Sequence, residues 1–325
     1  MTTGRTRVPV LYFAGSGRSG TTIINNILGQ LDGVFAAGEL RYLWQRGLVE
    51  DHRCGCGLPF SECPLWQSVM DRLGAAADLS DAHGIGPRLL RRLRIAHVPA
   101  MVARRAVGRP AVPPHRDDRI IGDLYRCVAD ATQADLVVDS SKLPPYGLLL
   151  TQLPGLDVRI LHVVRDSRAT AFSWRRHKAT GDEREHHGEM PRQPIWKSSL
   201  LWLLWNALTQ LLWRRHPDRY LRITYEQFAD EPYQVMSRIA AWLGVDPGAL
   251  PFETSDSVRL APTHSVAGNP DRHSTGTKKI RQDGEWRIAM APRDRRVVTA
   301  LTAAGLRCFG YPLGTGARRA QPSDQ

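Results

Sequence analysis

The sequence predicts an α/β three-layer sandwich, a central parallel sheet flanked by helices. Three observations predict it: short, nearly continuous apolar runs rich in β-branched residues, helical patterns between those runs, and a first run that empties into a glycine turn opening a helix. The chain has 325 residues and is 42% hydrophobic, enough for a sizeable core. One domain is expected over residues 1–313, with a helical, basic insertion at about 71–120 and a disordered tail at 314–325.

Taken in order, Val8–Ala14 is the first strand, Gly15-Ser16-Gly17 the turn, and TTIINNILGQL the first helix. Further strands are expected at Asp135–Ser140, Val158–Val164 and Tyr220–Thr224, and helices at about 167–178, 196–215 and 230–243. The last helix should stop at Gly244, with Pro247 soon after. The longest apolar stretch, Ser199–Trp213, is broken by Asn206, Thr209 and Gln210. It falls short of the roughly 20 residues a membrane span needs and reads as a buried or interfacial helix. The apolar run at Val8–Ala14 is too short for a signal peptide. An odd cysteine count of five, without an export signal, points to a reducing cytoplasm.

Lys and Arg number 44 against 32 Asp and Glu, a net charge of +12 that favours anionic partners. The basic residues are spread along the chain and no nucleic-acid recognition motif is present, so nucleic acid is set aside. The arginine-rich stretch at 88–110 reads first as a solvated helix face and leaves peripheral contact with a membrane or acidic surface open. Oligomeric state is open as well.

The segment Gly15-Ser16-Gly17-Arg18-Ser19-Gly20-Thr21-Thr22 joins strand to helix, where free backbone N–H groups and the helix dipole favour an anion. Gly17 and Gly20 let the main chain close around phosphate oxygens, and Arg18, Ser19, Thr21 and Thr22 add side-chain donors. The kinase pattern G-x-x-x-x-G-K-S/T is nearly present, but Thr21 stands where its lysine would be. The dinucleotide pattern G-x-G-x-x-G matches from Gly15 to Gly20, yet Glu39 lies too close to the loop for the ribose-binding acid of a second strand. A second anion site is expected where the strand at Val158–Val164 gives way to a helix. There Arg165 can fork two phosphate oxygens and Ser173, two turns along, can add a hydroxyl.

With RSGTT at 18–22 and RDSRATAFS at 165–173, the sequence resembles the sulfotransferases that use 3′-phosphoadenosine 5′-phosphosulfate. The resemblance runs from Val8 to about Pro312, is strongest with bacterial members, and extends on the acceptor side to tyrosylprotein sulfotransferases. It implies a P-loop-like fold, with the first loop holding the 5′-phosphosulfate and Arg165 with Ser173 holding the 3′-phosphate. It also implies a hydroxylated acceptor and no required metal. Residues 264–287, with G-N-P-x-R at Gly268–Arg272 and E-W at 285–286, resemble the bacterial donor-binding loop. Arg272, Lys279 and Arg281 are its candidate phosphate contacts, with Lys278 beside them.

An alcohol attacking sulfur needs a base, and the leaving oxygen needs positive charge. Glu39, beyond the first helix and two positions before Arg41, resembles the glutamate base of tyrosylprotein sulfotransferases. Lys142, at the end of a predicted strand, is implied as the stabiliser of the bridging oxygen, and Asp139 as the residue that positions the DSSK turn. His52, Cys54, Cys56 and Cys63 offer one histidine and three thiols, but C-x-C is tighter than the usual zinc spacing and no second knuckle follows. Reduced cysteines without metal are therefore expected. His264 is the second candidate base, whereas His162 reads as a core residue. Trp44, Trp66 and Trp196 are either core or acceptor-pocket residues. The rival readings are a nucleotide-dependent kinase of the P-loop fold and a catalytically silent anion-binding protein.

Overall fold

Strand β1 (Val8–Ala14) places Val10 and Tyr12 on one face and Leu11 and Phe13 on the other, all fully buried. A strand apolar on both faces needs cover on both. In a computed structural model of the chain, which describes residues 7–180 and 188–314, that cover is helical. Most of the tail expected from residue 314 onward, 315–325, lies outside the described residues.

The chain proceeds through α1 (Thr21–Leu28), β2 (Val34–Gly38), α2 (Pro64–Ala76), α3 (Ala82–Arg92), α4 (Val98–Ala106), α5 (Asp117–Thr132) and β3 (Leu136–Lys142). There follow α6 (Pro144–Leu150), β4 (Leu156–Val164), α7 (Ser167–Arg175), α8 (Ile195–Trp213), β5 (Tyr220–Thr224), α9 (Tyr225–Asp230) and α10 (Pro232–Leu243). Strands β6 (Phe252–Thr254), β7 (Ser257–Leu260) and β8 (Gly276–Lys279) precede α11 (Trp286–Ala289) and α12 (Pro292–Cys308). Five parallel strands form the main sheet in the order β2-β3-β1-β4-β5, and β6-β7-β8 form a small antiparallel one. Helices α1 and α10 cover one face of the main sheet through Ile24, Ile27, Met236 and Ile239. Helices α2, α3, α5 and α8 contribute to the core on the other face.

The expected parallel α/β architecture is therefore present, with four differences in detail. Strand β2 was not anticipated, because VFAAG is short and rich in alanine, a poor strand former. Glu39 consequently follows a second strand directly. The helix expected at 230–243 is α10, but the short helix α9 before it was not anticipated: α9 opens at a Thr224–Gln227 capping box, and α10 starts afresh at Pro232, whose ring and missing N–H cannot continue a helix. The small sheet was also unforeseen. The expected insertion is helical, but Ile85, Leu89 and Met101 belong to the same core cluster as Val10 and Tyr12. Its arginines are partly spent inside the fold, Arg88 on Asp117 and Asp81, Arg92 on Asp118. Helix α10 ends at Gly244 in the left-handed conformation, as expected. Among the described residues no helix is long and apolar enough to cross a membrane.

Helix α8 carries buried polar residues on the β4 side, and His162 explains one of them. Its Nε2–H donates to Asn206 Oδ1 at 2.9 Å, and its Nδ1 accepts from the Tyr220 hydroxyl at 2.7 Å. His162 is thus the core residue expected, held neutral because burial pushes its pKa down to about 3. The unfolded chain takes up this proton first, so the stability it confers is complete above pH about 6.5 and is lost progressively as pH falls toward 3. Thermal melts of wild type and His162→Gln between pH 7 and 4.5 should converge with acidification, the variant lacking this component of acid sensitivity. Parallel pH profiles would contradict the assignment.

Candidate active site

The polar residues singled out in the sequence gather at the carboxyl ends of the parallel strands, where open α/β sheets bind ligands. Loop 15–20 leaves β1, Glu39 follows β2, Lys142 closes β3 and Arg165 follows β4. The β1 loop is anchored at its base by Gly15 N–H donating to Lys142 O at 3.2 Å. Within it the Ser19 hydroxyl donates to Ser16 O at 3.0 Å. Gly20, the residue before α1, has φ +81°, and a Cβ there would sit 2.4 Å from the Tyr225 ring. Arg18 also has positive φ, +63°. Its guanidinium lies 4.9 Å from the centre of the Trp174 ring, next to Ser173 on α7. Thr21 is buried and Thr22 half-buried at the start of α1.

Arg165 ties the two expected anion sites together. Its Nη1 donates to Arg18 O at 3.2 Å, its Nη2 pairs with Asp283 at 3.0 Å, and its guanidinium stacks 4.4 Å from the centre of the Tyr225 ring. Burial pushes the Arg18 pKa down, and the nearby charges of Arg176 and Arg165 act in the same direction against Glu39 and Asp271. Loop and helix thus share one basic environment, with three buried polar atoms, Ser16 Oγ, Arg18 Nε and Arg165 Nε, lacking a hydrogen-bond partner. Buried donors of this kind are costly to leave unmade.

Glu39 and Lys142 form an ion pair at 2.5 Å, and Lys142 Nζ also donates to Ser140 O at 2.6 Å. The Glu39 side chain is 14% exposed. Burial alone would push its carboxyl up, but the charges of Lys142, Arg46 and Arg41 outweigh burial and hold it below the usual glutamate value. Lys142 reaches this position from a left-handed backbone, φ +67°, an unusual state for a residue with a Cβ. The corner beneath is built by Asp139, which accepts from Ser141 N at 2.8 Å, Ser141 Oγ at 2.5 Å and the Tyr125 hydroxyl. Ser141 Oγ in turn accepts from Arg41 N at 3.1 Å. Asp139 positions the DSSK turn as expected, and through Ser141 it also fixes the segment that follows Glu39.

The C-terminal candidates separate. Arg281 is exposed near the β1 loop, its carbonyl accepting from the Tyr225 hydroxyl at 3.4 Å. Lys279 instead lies on β8 and pairs with Asp256 at 2.9 Å. Arg272 is buried, its guanidinium donating to Gly268 O at 2.9 Å and Arg53 O at 3.0 Å, which makes it a clamp between loops. His264 points its Nδ1 at the thiols of Cys54 and Cys63, away from a base's role. Trp44 and Trp66 are core residues, and Trp196 is exposed. Sequence reasoning missed Tyr225 and Trp174, the two rings against the β1 loop. Trp174 adjoins Ser173 and could have been inferred from that motif, whereas no local signal marks Tyr225.

Comparison with known proteins bears on what this edge does. A sequence profile described as the sulfotransferase domain matches residues 128–302. Carbohydrate sulfotransferase 3 of Mus musculus is 26% identical over 179 residues, 52% of this chain and 37% of the mouse protein. Its Rattus norvegicus counterpart is 26% identical over 180 residues, 50% of this chain and 36% of the rat protein. The chain therefore matches little more than a third of the length of these curated relatives. Among solved structures, the sulfotransferase domain from the Synechococcus PCC 7002 olefin synthase aligns over 97% of this chain and 99% of its own, with TM-score 0.50 and 21% identity. The sulfotransferase domain from the curacin biosynthetic pathway aligns over 95% of this chain and all of its own, with TM-score 0.51 and 17% identity. These structural likenesses are likenesses of fold.

The loop geometry makes a prediction about stability. Gly20→Ala must accept both a positive φ and a clash with Tyr225, and should lose about 1–3 kcal/mol in denaturant unfolding. Adding Tyr225→Ala relieves the clash alone, so the double variant should lose less than the sum of the two single losses. Additive losses would show that the ring does not confine the loop.

Proposed function

The chain belongs to the sulfotransferase domain family, whose profile covers more than half of its length, and we propose that it transfers a sulfuryl group from 3′-phosphoadenosine 5′-phosphosulfate to a hydroxyl oxygen. The acceptor class is a small molecule, carbohydrate or lipid. One observation carries the reading: the Glu39–Lys142 pair lies at the strand edge shared by the β1 loop and Arg165.

Under this reading the backbone N–H groups of the β1 loop, with Arg18, Ser19, Thr21 and Thr22, hold the 5′-phosphosulfate. Arg165 and Ser173 hold the 3′-phosphate. The unpartnered buried atoms Ser16 Oγ, Arg18 Nε and Arg165 Nε support the fit, because a polyanion would satisfy donors of this kind. Arg281 is the late cation best situated to help, through its neighbour Tyr225. The donor supplies an activated sulfur whose bond to the bridging phosphate oxygen breaks as the acceptor oxygen bonds to it.

Glu39 takes the acceptor's hydroxyl proton. Its lowered pKa keeps it ionised, hence able to accept, at neutral pH. Lys142 carries the charge that balances the leaving phosphate oxygen. The ion pair links these two tasks: a proton arriving on Glu39 cancels the charge that holds Lys142 and releases its ammonium toward the oxygen that is becoming negative. The kinase alternative is disfavoured by Thr21, which stands where a phosphate-binding lysine would be needed.

Two measurements test the proposal. Calorimetry with adenosine 3′,5′-bisphosphate, without added metal, should show binding, and Arg165→Ala should weaken it by about 10- to 100-fold, as for loss of a charge-assisted hydrogen bond. Mass spectrometry of acceptor mixtures should show a donor-dependent SO₃ increment, with kcat lowered by about 10² to 10⁴ in Glu39→Gln while nucleotide affinity stays near wild type. Absence of nucleotide binding would overturn the donor assignment, and undiminished turnover in Glu39→Gln would overturn the assignment of the base.

A further inference from the structure

Away from the strand-edge pair, three thiols and an imidazole converge from parts of the chain far apart in sequence. Cys54 and Cys56 lie in the turn after the segment that follows β2, Cys63 is the residue before α2, and His264 comes from the stretch after β7. Their ligand atoms all lie within 4.8 Å of one another. We propose that Cys54, Cys56, Cys63 and His264 bind a zinc ion as a closed structural site.

Distances, chemistry and support agree with the assignment. Zinc held at about 2.3 Å from sulfur and about 2.0 Å from nitrogen in a tetrahedron separates two sulfurs by about 3.8 Å and sulfur from nitrogen by about 3.5 Å. Cys56 Sγ and Cys63 Sγ are 3.8 Å apart, while His264 Nδ1 is 3.3 Å from Cys63 Sγ and 3.8 Å from Cys54 Sγ. The cysteines are free, and the 3.8 Å between Cys56 and Cys63 sulfurs is far outside the disulfide bond length of about 2.05 Å. Three soft thiolates with one imidazole form a recurrent structural zinc set, and with all four positions filled by protein no place remains for substrate.

Cys63 stands at the N-terminus of the 13-residue helix α2, where the helix dipole favours negative charge. His264 is oriented by Trp66, whose indole N–H donates to His264 O at 2.9 Å. Between the first two cysteines a Cβ at Gly55 would lie 2.5 Å from Thr263 O, so only glycine lets this turn approach the strand-like stretch bearing His264. The histidine nearest in sequence, His52, lies outside this cluster, its Nε2 pairing with Glu50 at 3.0 Å. The ligand that completes the set lies 201 residues after Cys63, which is why the C-x-C spacing alone looked unpromising.

The site would close two loops onto the edge of the sheet. Gly55 N–H donates to Ser265 O, Val266 N–H to Ala37 O and Glu39 N–H to Ala267 O, so a metal joining Cys54 to His264 braces the backbone that carries β2's end.

The test uses the full chain, purified untagged under reducing conditions after growth with zinc. Elemental mass spectrometry should find about one zinc per chain. Cobalt exchanged into the wild-type protein should show thiolate charge-transfer and tetrahedral d–d bands, a readout that requires no variant to fold. Cys63→Ser and His264→Ala should each bind only a small fraction of the wild-type zinc, and a strong chelator should lower the wild-type melting temperature. A zinc-free wild type, cobalt without thiolate bands, or undiminished zinc in the Cys54→Ser/Cys56→Ser/Cys63→Ser variant would overturn the proposal, as would a disulfide mapped among these cysteines in the reduced-purified protein.

Discussion

Asp139 is a carboxylate sealed inside the sheet, and the geometry of the strand edge that carries Glu39 and Lys142 depends on how it is satisfied. Burial pushes its pKa up to about 6, and hydrogen bonds from Ser141 and Tyr125 offset part of that cost. Each of these bonds also does structural service. The two from Ser141 fold the turn after β3, and Ser141 then accepts from the backbone of Arg41. One buried acid thereby sets the spacing between the residue after β2 and the last residue of β3. A long glutamate–lysine pair would otherwise have many geometries to choose from, and this backbone frame narrows that choice by fixing both Cα positions.

The charges at the edge are arranged in mutual compensation. Arg165 is close enough to disfavour the charge of Arg18, and Arg165 is buried while Arg18 is half-buried. Asp283 answers Arg165 and Arg176, while Lys142 and its arginine neighbours answer Glu39. Aromatic faces complete the balance, Trp174 beside Arg18 and Tyr225 beside Arg165. Tyr225 therefore serves twice, bounding the loop at Gly20 and bearing the guanidinium that reaches across from β4.

Much of this was legible in the chain because the signals are local. Val8–Ala14, the glycine turn and the RDSR helix start each announce themselves within ten residues, and the parallel sheet follows from strands apolar on both faces. Glu39 was reachable only by family resemblance, since nothing in AAGELR marks a strand end. Whatever depends on distant pairing was hidden. No spacing rule joins Cys63 to His264, and nothing near Arg272 reveals that its guanidinium is consumed by the carbonyls of Gly268 and Arg53. The buried role of the arginine-rich helices was masked for a related reason: their partners, Asp117 and Asp118, lie on another helix.

The left-handed backbone at Lys142 has a consequence for any effort to improve this protein. Glycine is the residue best suited to φ +67°, and it would relax the main chain at that point while removing the ammonium opposite Glu39. The strained main chain and the buried ion pair with Glu39 therefore pull this position in opposite directions. A library screened for robustness would accept glycine here only together with a change that neutralises or removes Glu39.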